Sequence, residues 1–534
     1  MKLLPRNLPL GLLVFVVVMF ALNINGYLLF DHDEGAFSEA TRGMFERGDF
    51  ITTMLNDRMR FDKPILIYWL QAASISLFGT EVWAFRVPSM LAGIGWSLAV
   101  FAFCRFHIGR NTAVAAAMIC AGALGINMIC HVATADALLN ALLASTLLLI
   151  YHYSEKPSNH LLYAIYALMG LGLLTKGPVA VLIPLMVAGL YFGWARRWQD
   201  LFRALFFVPG WIVTLAIAAP WYILEYMAQG QAFIDGFFLK HNVNRFNNAM
   251  EGHDGGFLFY PSVLPFVVAP FGALLLRMLP SVRDAIRMDG LNRFLWIWFL
   301  VVLVLFSLAS TKLPHYILYG STPLVILMAR YRFSLRSRWL AAVLPLLFFG
   351  LLMAFPLLIP VIEGRLTNPI EIATAQRAAH YINNQFAILA VIAGLLSLGL
   401  ILWRRLAIWH GLMATAVIQA LFVWAVMVPA ISDAQQLPVY EAAQYARTLQ
   451  QPIVTQSIDM PSFNVYLDRV TVRRGLQPGE VGFGRIDRIR DLERYNVLFQ
   501  SGLIVLIELK PKPVDAAVVS EPVAEPSVEA SESE

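Results

Sequence analysis

The chain has 534 residues, 58% of them hydrophobic and 14% charged, with a mean hydropathy of +0.64. Soluble domains carry about 25% charged residues, so the composition excludes an ordinary soluble globular protein and points to a polytopic membrane protein. The net charge of +5 arises from Arg-rich loops between apolar runs and is no nucleic-acid signal, and Cys104, Cys120 and Cys130 lack zinc-type spacing.

In chain order, a short basic start with Lys2 and Arg6 leads into an apolar run without a clear cleavage site, the pattern of an uncleaved signal anchor. Roughly twenty apolar residues cross a bilayer. Runs of this kind predict 13 spans, near 9–30, 83–104, 111–130, 137–153, 161–175, 178–194, 206–225, 258–276, 294–310, 316–329, 339–360, 385–403 and 407–430. The short loops on one side hold 18 positive charges, among them Arg196, Arg197, Arg203, Arg277, Arg283 and Arg287. The positive-inside rule makes that side, and the N-terminus, cytoplasmic. The odd number of spans puts the C-terminus outside.

Two long loops fall on the outer side, near 31–82 and 226–257. The first opens with the acidic cluster Asp31-His32-Asp33-Glu34. It continues with an amphipathic helical pattern, apolar at Phe37, Ala40, Met44 and Phe45 and polar at Ser38, Glu39, Arg42 and Glu46, suited to the membrane interface or to packing on the protein itself. After Pro64, the apolar stretch Ile65 to Phe78 is too short to span comfortably. Residues 1–430 are expected to form the transmembrane domain and 431–510 a small external α/β domain. Its elements are a helix over Tyr440 to Leu449 and strands at Ile453 to Gln456, Val470 to Val472 and Leu503 to Ile507. The tail 511–534, rich in Pro, Glu, Ser, Ala and Val, reads as disordered.

Ionisable groups at a membrane edge are costly and mark function by default. The topology places an ordered set of them on the outer face: Asp33 and Glu34; Phe61-Asp62-Lys63-Pro64; Thr134-Ala135-Asp136; Leu174-Thr175-Lys176-Gly177-Pro178; Lys240 and His253; and Thr311-Lys312-Leu313-Pro314-His315-Tyr316. Each has a structural alternative, as a solvated loop charge, a helix cap, a snorkelling lysine or an interfacial anchor. Their collection on one side favours chemistry.

This ordered set resembles the signature stations of the protein O-mannosyltransferase-like superfamily, and in particular the bacterial lipid A 4-amino-4-deoxy-L-arabinose transferases. The resemblance covers about residues 1–430. It implies the GT-C fold, a polyprenyl (undecaprenyl) phosphate sugar as donor, and transfer on the periplasmic face of a bacterial inner membrane. It implies Asp33 as catalytic base with Glu34 beside it, and Lys63 at the donor phosphate with Asp136 positioning it. Lys176, Lys312 and Tyr316 then belong to the same donor-phosphate site. Some relatives pair the acid of the Phe-Glu-Lys-Pro station with a histidine around a divalent metal; here Asp62 and His253 are the equivalents, and Asp62 is one methylene shorter. Where relatives often carry Arg soon after the acidic pair, this chain has Gly35-Ala36-Phe37.

The chemistry is consistent with this expectation. A leaving lipid phosphate needs positive charge in a partly dehydrated site, and a carboxylate can take the acceptor's proton. One base and one displacement predict inversion, with a lipid, glycan or protein as acceptor. The alternative is a lipid or polysaccharide transporter or flippase. That reading calls for charges at mid-membrane and broken helices in matching halves, whereas these spans are nearly free of charge and show no internal repeat.

Overall fold

The computed structural model describes residues 8–244, 255–287, 290–456, 458–489 and 492–510. It has a mostly helical membrane-protein fold. The 13 expected spans all fall on helical segments, although these differ in character. Among the described residues, seven helices are long and apolar enough to cross a membrane, or up to nine if each of two bent pairs is one span. Leu10–Ala21 and Val179–Trp194 are shorter apolar helices.

The first helix, α1 (Leu10–Ala21), stops well before residue 30. Asn23 takes a left-handed backbone with φ of 54°, which Asn tolerates better than other side-chain-bearing residues. Its amide donates to the Trp424 carbonyl at 2.6 Å. Asn23, which interrupts the apolar run, thus holds the chain in a turn just past the end of the helix. Helix α2 (Glu34–Arg47) and helix α3 (Leu66–Phe78) flank a two-stranded hairpin, Met54–Leu55 with Arg58–Met59. Most of α2 is buried on both faces. Phe37, Ala40 and Met44 pack with Ile65 and Tyr68, and its polar face meets the C-terminal region, so α2 packs on the protein.

Helix α4 (Val82–His107) is the long central helix; it packs on α5 (Arg110–Gly122) and α6 (Leu124–His131), which are bent by 61°. Ala113, Ala115, Ala116 and Ala117 of α5 are fully buried, and such small side chains let helix backbones approach closely. Helices α7 (Asp136–Glu155), α8 (Asn159–Lys176) and α9 (Val179–Trp194) complete the part of the bundle that bears on the site.

The C-terminal region is a five-stranded mixed sheet in the order Val472–Arg473, Ile453–Gln456, Val481–Arg485, Ile504–Leu509, Tyr495–Ser501. The first three strands are parallel and the last two antiparallel to their neighbours. The central strand Val481–Arg485, buried throughout, was not among the expected strands; its Gly482 and Gly484 are of a type depleted in strand interiors. The expected boundary at residue 430 falls inside a continuous helix that runs from Ile408 to Arg447. Val439, Ala442, Ala443 and Ala446 on the last turns of that helix join the core beneath the sheet, so one helix serves both regions. The tail 511–534 lies outside the described residues.

Candidate active site

The acidic cluster at the start of the first long loop divides into three fates. Glu34 is sealed inside: its carboxylate accepts from Arg86 Nε at 2.8 Å and Nη2 at 2.9 Å, and from the Ala133 amide at 2.9 Å. Arg86, fully buried in α4, also donates to the carbonyls of Ile24, Tyr27 and Leu28 and lies 3.6 Å from the Tyr27 ring centroid. Every charge here is compensated, as burial demands. This corrects the expectation of Glu34 as a catalytic neighbour, since it has no route to a substrate. It fixes the chain entering α2.

Asp31 turns the other way. Its carboxylate accepts from Ser462 N at 2.8 Å and Ser462 Oγ at 2.7 Å, which ties the loop to the C-terminal region. Burial pushes its pKa up to about 6, against the lowering effect of the Ser462 hydrogen bonds. Gly35 allows this closeness: a Cβ there would lie 2.8 Å from Asp31 Oδ1 and 3.0 Å from Ser462 N. That accounts for a glycine where the resemblance led one to look for a large cation.

Asp33, between these two anchors, lines a cavity of about 840 Å³. Its carboxylate opens onto the cavity but is ringed by protein. That enclosure raises its pKa, the carboxylates of Asp136 and Glu34 add to the rise, and Arg60 opposes it. The cavity brings together Asp33, Asp62, Lys63, Asp136, Lys176 and Tyr316. Lys240 from the second long loop also lines it. Six lysines and arginines face four carboxylates in the lining, so the balance favours an anionic ligand.

Two ion-pair groups organise the cavity. In the first, Asp62 accepts from Lys63 Nζ at 2.8 Å and Arg60 Nη2 at 3.1 Å, while Arg60 Nε donates to the Tyr68 hydroxyl at 3.3 Å. In the second, Lys176 pairs with Asp136 and donates to the Tyr319 hydroxyl at 3.0 Å. Tyr319 in turn donates to Asp136 at 3.3 Å, and His315 Nε2 lies 3.7 Å from the same carboxylate. Local sequence explains the placement. Gly177, with φ of 78°, ends α8 directly after Lys176, and Pro178 begins the next helix. Pro314 opens a 3-10 helix, Pro314–Gly320, in which residues three apart eclipse. Tyr316 and Tyr319 therefore stack, with ring centroids 6.1 Å apart, beneath the Lys176 ammonium.

Three expectations are changed. Asp136 is tied to Lys176, in addition to its electrostatic coupling to Lys63. Lys312 is buried and donates to the carbonyls of Ser307 at 2.8 Å and Ala309 at 2.9 Å, so it caps a helix C-terminus and is absent from the cavity lining. The metal pairing is not supported at Asp62, whose carboxylate is already held by two cations. Among the described residues no three His, Cys, Asp or Glu side chains converge as metal ligands; His253 lies outside them.

Sequence reasoning missed Arg60 and Tyr319, although each carried a signal: Arg60 lies two residues before Asp62 in a hairpin strand's extension, and Tyr319 lies three after Tyr316. Asp459 and Arg473, which also line the cavity, carried none, because nothing in the sequence brings residues from the C-terminal sheet back to the first loop.

A sequence profile described as dolichyl-phosphate-mannose-protein mannosyltransferase matches residues 62–224. A Serratia proteamaculans (strain 568) protein named undecaprenyl phosphate-alpha-4-amino-4-deoxy-L-arabinose arabinosyl transferase is 30% identical over 339 residues, covering 62% of this chain and 60% of that relative. An uncharacterized protein of Aquifex aeolicus (strain VF5) is 30% identical over 304 residues, covering 56% of this chain and 67% of the relative. The fold is similar to the crystal structure of ArnT from Cupriavidus metallidurans bound to undecaprenyl phosphate, with a TM-score of 0.77 at 19% identity over 93% of this chain and 97% of that one. The chain is thus similar in sequence to the protein O-mannosyltransferase-like glycosyltransferases and to aminoarabinose transferases among them, spans about 60% of the length of the named relative, and shares the fold of the ArnT structure.

Proposed function

We propose that this protein is an inverting glycosyltransferase that moves a sugar from a polyprenyl phosphate carrier to an acceptor at the periplasmic face of a bacterial inner membrane. Aminoarabinose transfer to lipid A is the specific reaction its named relatives suggest. In this reading the 13 helical segments complete the topology, the N-terminus is cytoplasmic, and the C-terminal sheet is a periplasmic domain.

The observation that carries the reading is the pairing, within one cavity, of a carboxylate of raised pKa with two lysines, Lys63 in the loop before α3 and Lys176 at the end of α8. Lys63 and Lys176 supply point charges for a leaving phosphate. Each is held in place by a carboxylate, so little reorganisation is needed as charge develops. The acceptor oxygen forms a bond to the anomeric carbon, and the bond from that carbon to the phosphate oxygen breaks. The acceptor's proton passes to Asp33, and the polyprenyl phosphate leaves as an anion against the lysines. A single displacement inverts the anomeric centre.

The test uses purified full-length protein with a labelled polyprenyl phosphate sugar and lipid A. Label should move into the lipid A fraction, and Asp33→Asn should slow transfer by about 10²–10⁴. Movement of donor across vesicles without product would overturn the reading in favour of a flippase. Normal turnover by D33N would remove Asp33 from its role.

A further inference from the structure

The end of the bundle away from the cavity carries a second concentration of charge. Helices α7 and α9 both run out from the cavity, one from Asp136 and one from just past Lys176, and they finish at Glu155 and Trp194. There a helix of 8 residues, α10 (Trp198–Leu205), joins α9 to the helix Val208–Gln229. At about 12 Å it is too short to cross a bilayer. None of its residues is fully buried, yet it is fixed in place. The Tyr166 hydroxyl donates to the Ala204 carbonyl at 2.7 Å, and the Trp211 indole to that of Leu205 at 2.8 Å. Leu201 and Ala204 pack on the bundle core.

Helical spacing leaves a second apolar face. Trp198, Phe202 and Phe206 recur at every fourth position, stack at centroid distances of 6.3 and 6.1 Å, and are 51%, 50% and 70% exposed. A stripe of aromatic rings on a short helix is suited to the interface of a membrane. Cations gather around it. Arg196, Arg197 and Arg203 flank or belong to α10. Lys156 lies in the turn between α7 and α8, which Arg197 and Arg203 contact at Ser154 and Asn159. Arg293 lies 5.7 Å from the Trp194 ring centroid. The acids in these segments are Glu155 and Asp200, and Asp200 is taken by Arg197 at 2.7 Å. Arg196 is the most informative of the set. It follows the end of α9 with φ of 55°, a left-handed position that Gly or Asn fills more easily. It is exposed, and among the described residues its side chain has no hydrogen bond or ion pair. Apart from the dipole of α9, nothing in the described residues accounts for an arginine there.

We propose that α10 and the arginines around it form a binding site for an anionic phospholipid, with Arg196, Arg203 and Arg293 attracting the headgroup and the Trp198–Phe202–Phe206 stripe meeting the acyl chains. The excess of positive charge favours an anionic headgroup over a zwitterionic one. The aromatic stripe favours a lipid over a free phosphate.

The test titrates full-length protein in an uncharged detergent with dioctanoyl phosphatidylglycerol, dioctanoyl phosphatidylcholine or glycerol phosphate, and counts bound molecules by native mass spectrometry. Phosphatidylglycerol should bind about tenfold or more tightly than phosphatidylcholine, and glycerol phosphate should not bind. Arg196→Gln removes no contact of the folded protein and should weaken phosphatidylglycerol about fivefold; Gln at Arg196, Arg203 and Arg293 together should weaken it about 10²-fold. Lys at the same three positions should stay within about threefold of the parent, since the charge is kept. Trp198→Ala with Phe202→Ala should weaken both lipids alike. Arg404→Gln with Arg405→Gln, two exposed arginines in the turn before Ile408, should match the parent. Equal affinity of the parent for the two lipids, parental affinity in R196Q, or binding of glycerol phosphate alone would each overturn the site. An equal loss in the Arg404 and Arg405 variant would also overturn it, by making the preference a property of overall charge. R196Q and the lysine variant decide the question even where the triple Gln variant loses its fold. The readout is lipid bound and not turnover, so its failure leaves the transfer reading standing.

Discussion

Two acid–base pairs at the same end of the helix bundle differ in one respect, and the difference separates architecture from chemistry. Glu34–Arg86 is closed: both side chains are almost fully buried, and the remaining donors of Arg86 are taken by backbone carbonyls. Asp136–Lys176 is open: both side chains keep 12–14% exposure and face a cavity shared with Asp33. A closed pair cannot exchange partners with a substrate. An open pair can lend its cation to an incoming anion, because Asp136 keeps Tyr319 and His315 nearby. The contact geometry of the charges tells the two apart where their sequence spacing does not.

The sharpest way to break the comparison is to remove the cation from each pair. Arg86→Leu leaves Glu34 buried without its partner and frees three carbonyls; the expected loss is about 3–5 kcal/mol of stability, seen as a large drop in Tm in detergent. Lys176→Met should act differently. Stability should fall by only about 1 kcal/mol, while transfer from a polyprenyl phosphate donor slows by about 10²-fold through loss of phosphate stabilisation. A K176M protein with normal turnover, or an R86L protein with parental Tm, would erase the distinction.

How much of this was legible in the sequence follows from the range of the interactions involved. The positions of the helical segments and the ordered polar stations followed from hydropathy and local spacing, while the described helices give seven to nine crossings by length and composition where 13 were expected. Asp33, Lys63, Asp136, Lys176 and Tyr316 were all named, and they do share one cavity. Glu34 and Lys312 were misread because sequence shows that a charge is present, not where its partner lies. Glu34 finds Arg86 on another helix, and Lys312 folds back on carbonyls three and five residues upstream. Arg473 and Asp459 were out of reach, since their route to the cavity runs through tertiary amide contacts spanning about four hundred positions. The first helix ended early for a reason the sequence did contain, the asparagine at 23, but its effect depended on a carbonyl of Trp424.

The smallest expected effect concerns the third member of the acidic cluster. Asp31 joins the helical part to the C-terminal sheet through Ser462, and its pKa is pushed up to about 6 by burial. The folded value lies above the ordinary carboxylate value of 3.8, so the folded protein holds this proton more tightly than the unfolded chain. Its contribution to stability is therefore full below about pH 4 and is lost as pH rises through about 6. Asp31 is only part-buried by surface area, so the change is discounted to the order of 1–2 kcal/mol. Asp31→Asn keeps one acceptor for Ser462 but cannot ionise. The Tm of the parent should carry a decline between pH 4 and pH 7 that D31N lacks, with the two proteins differing least at the acidic end. If both show the same decline, the junction between helices and sheet is set by Ser462 packing against Gly35, and the Asp31 charge has no part in it.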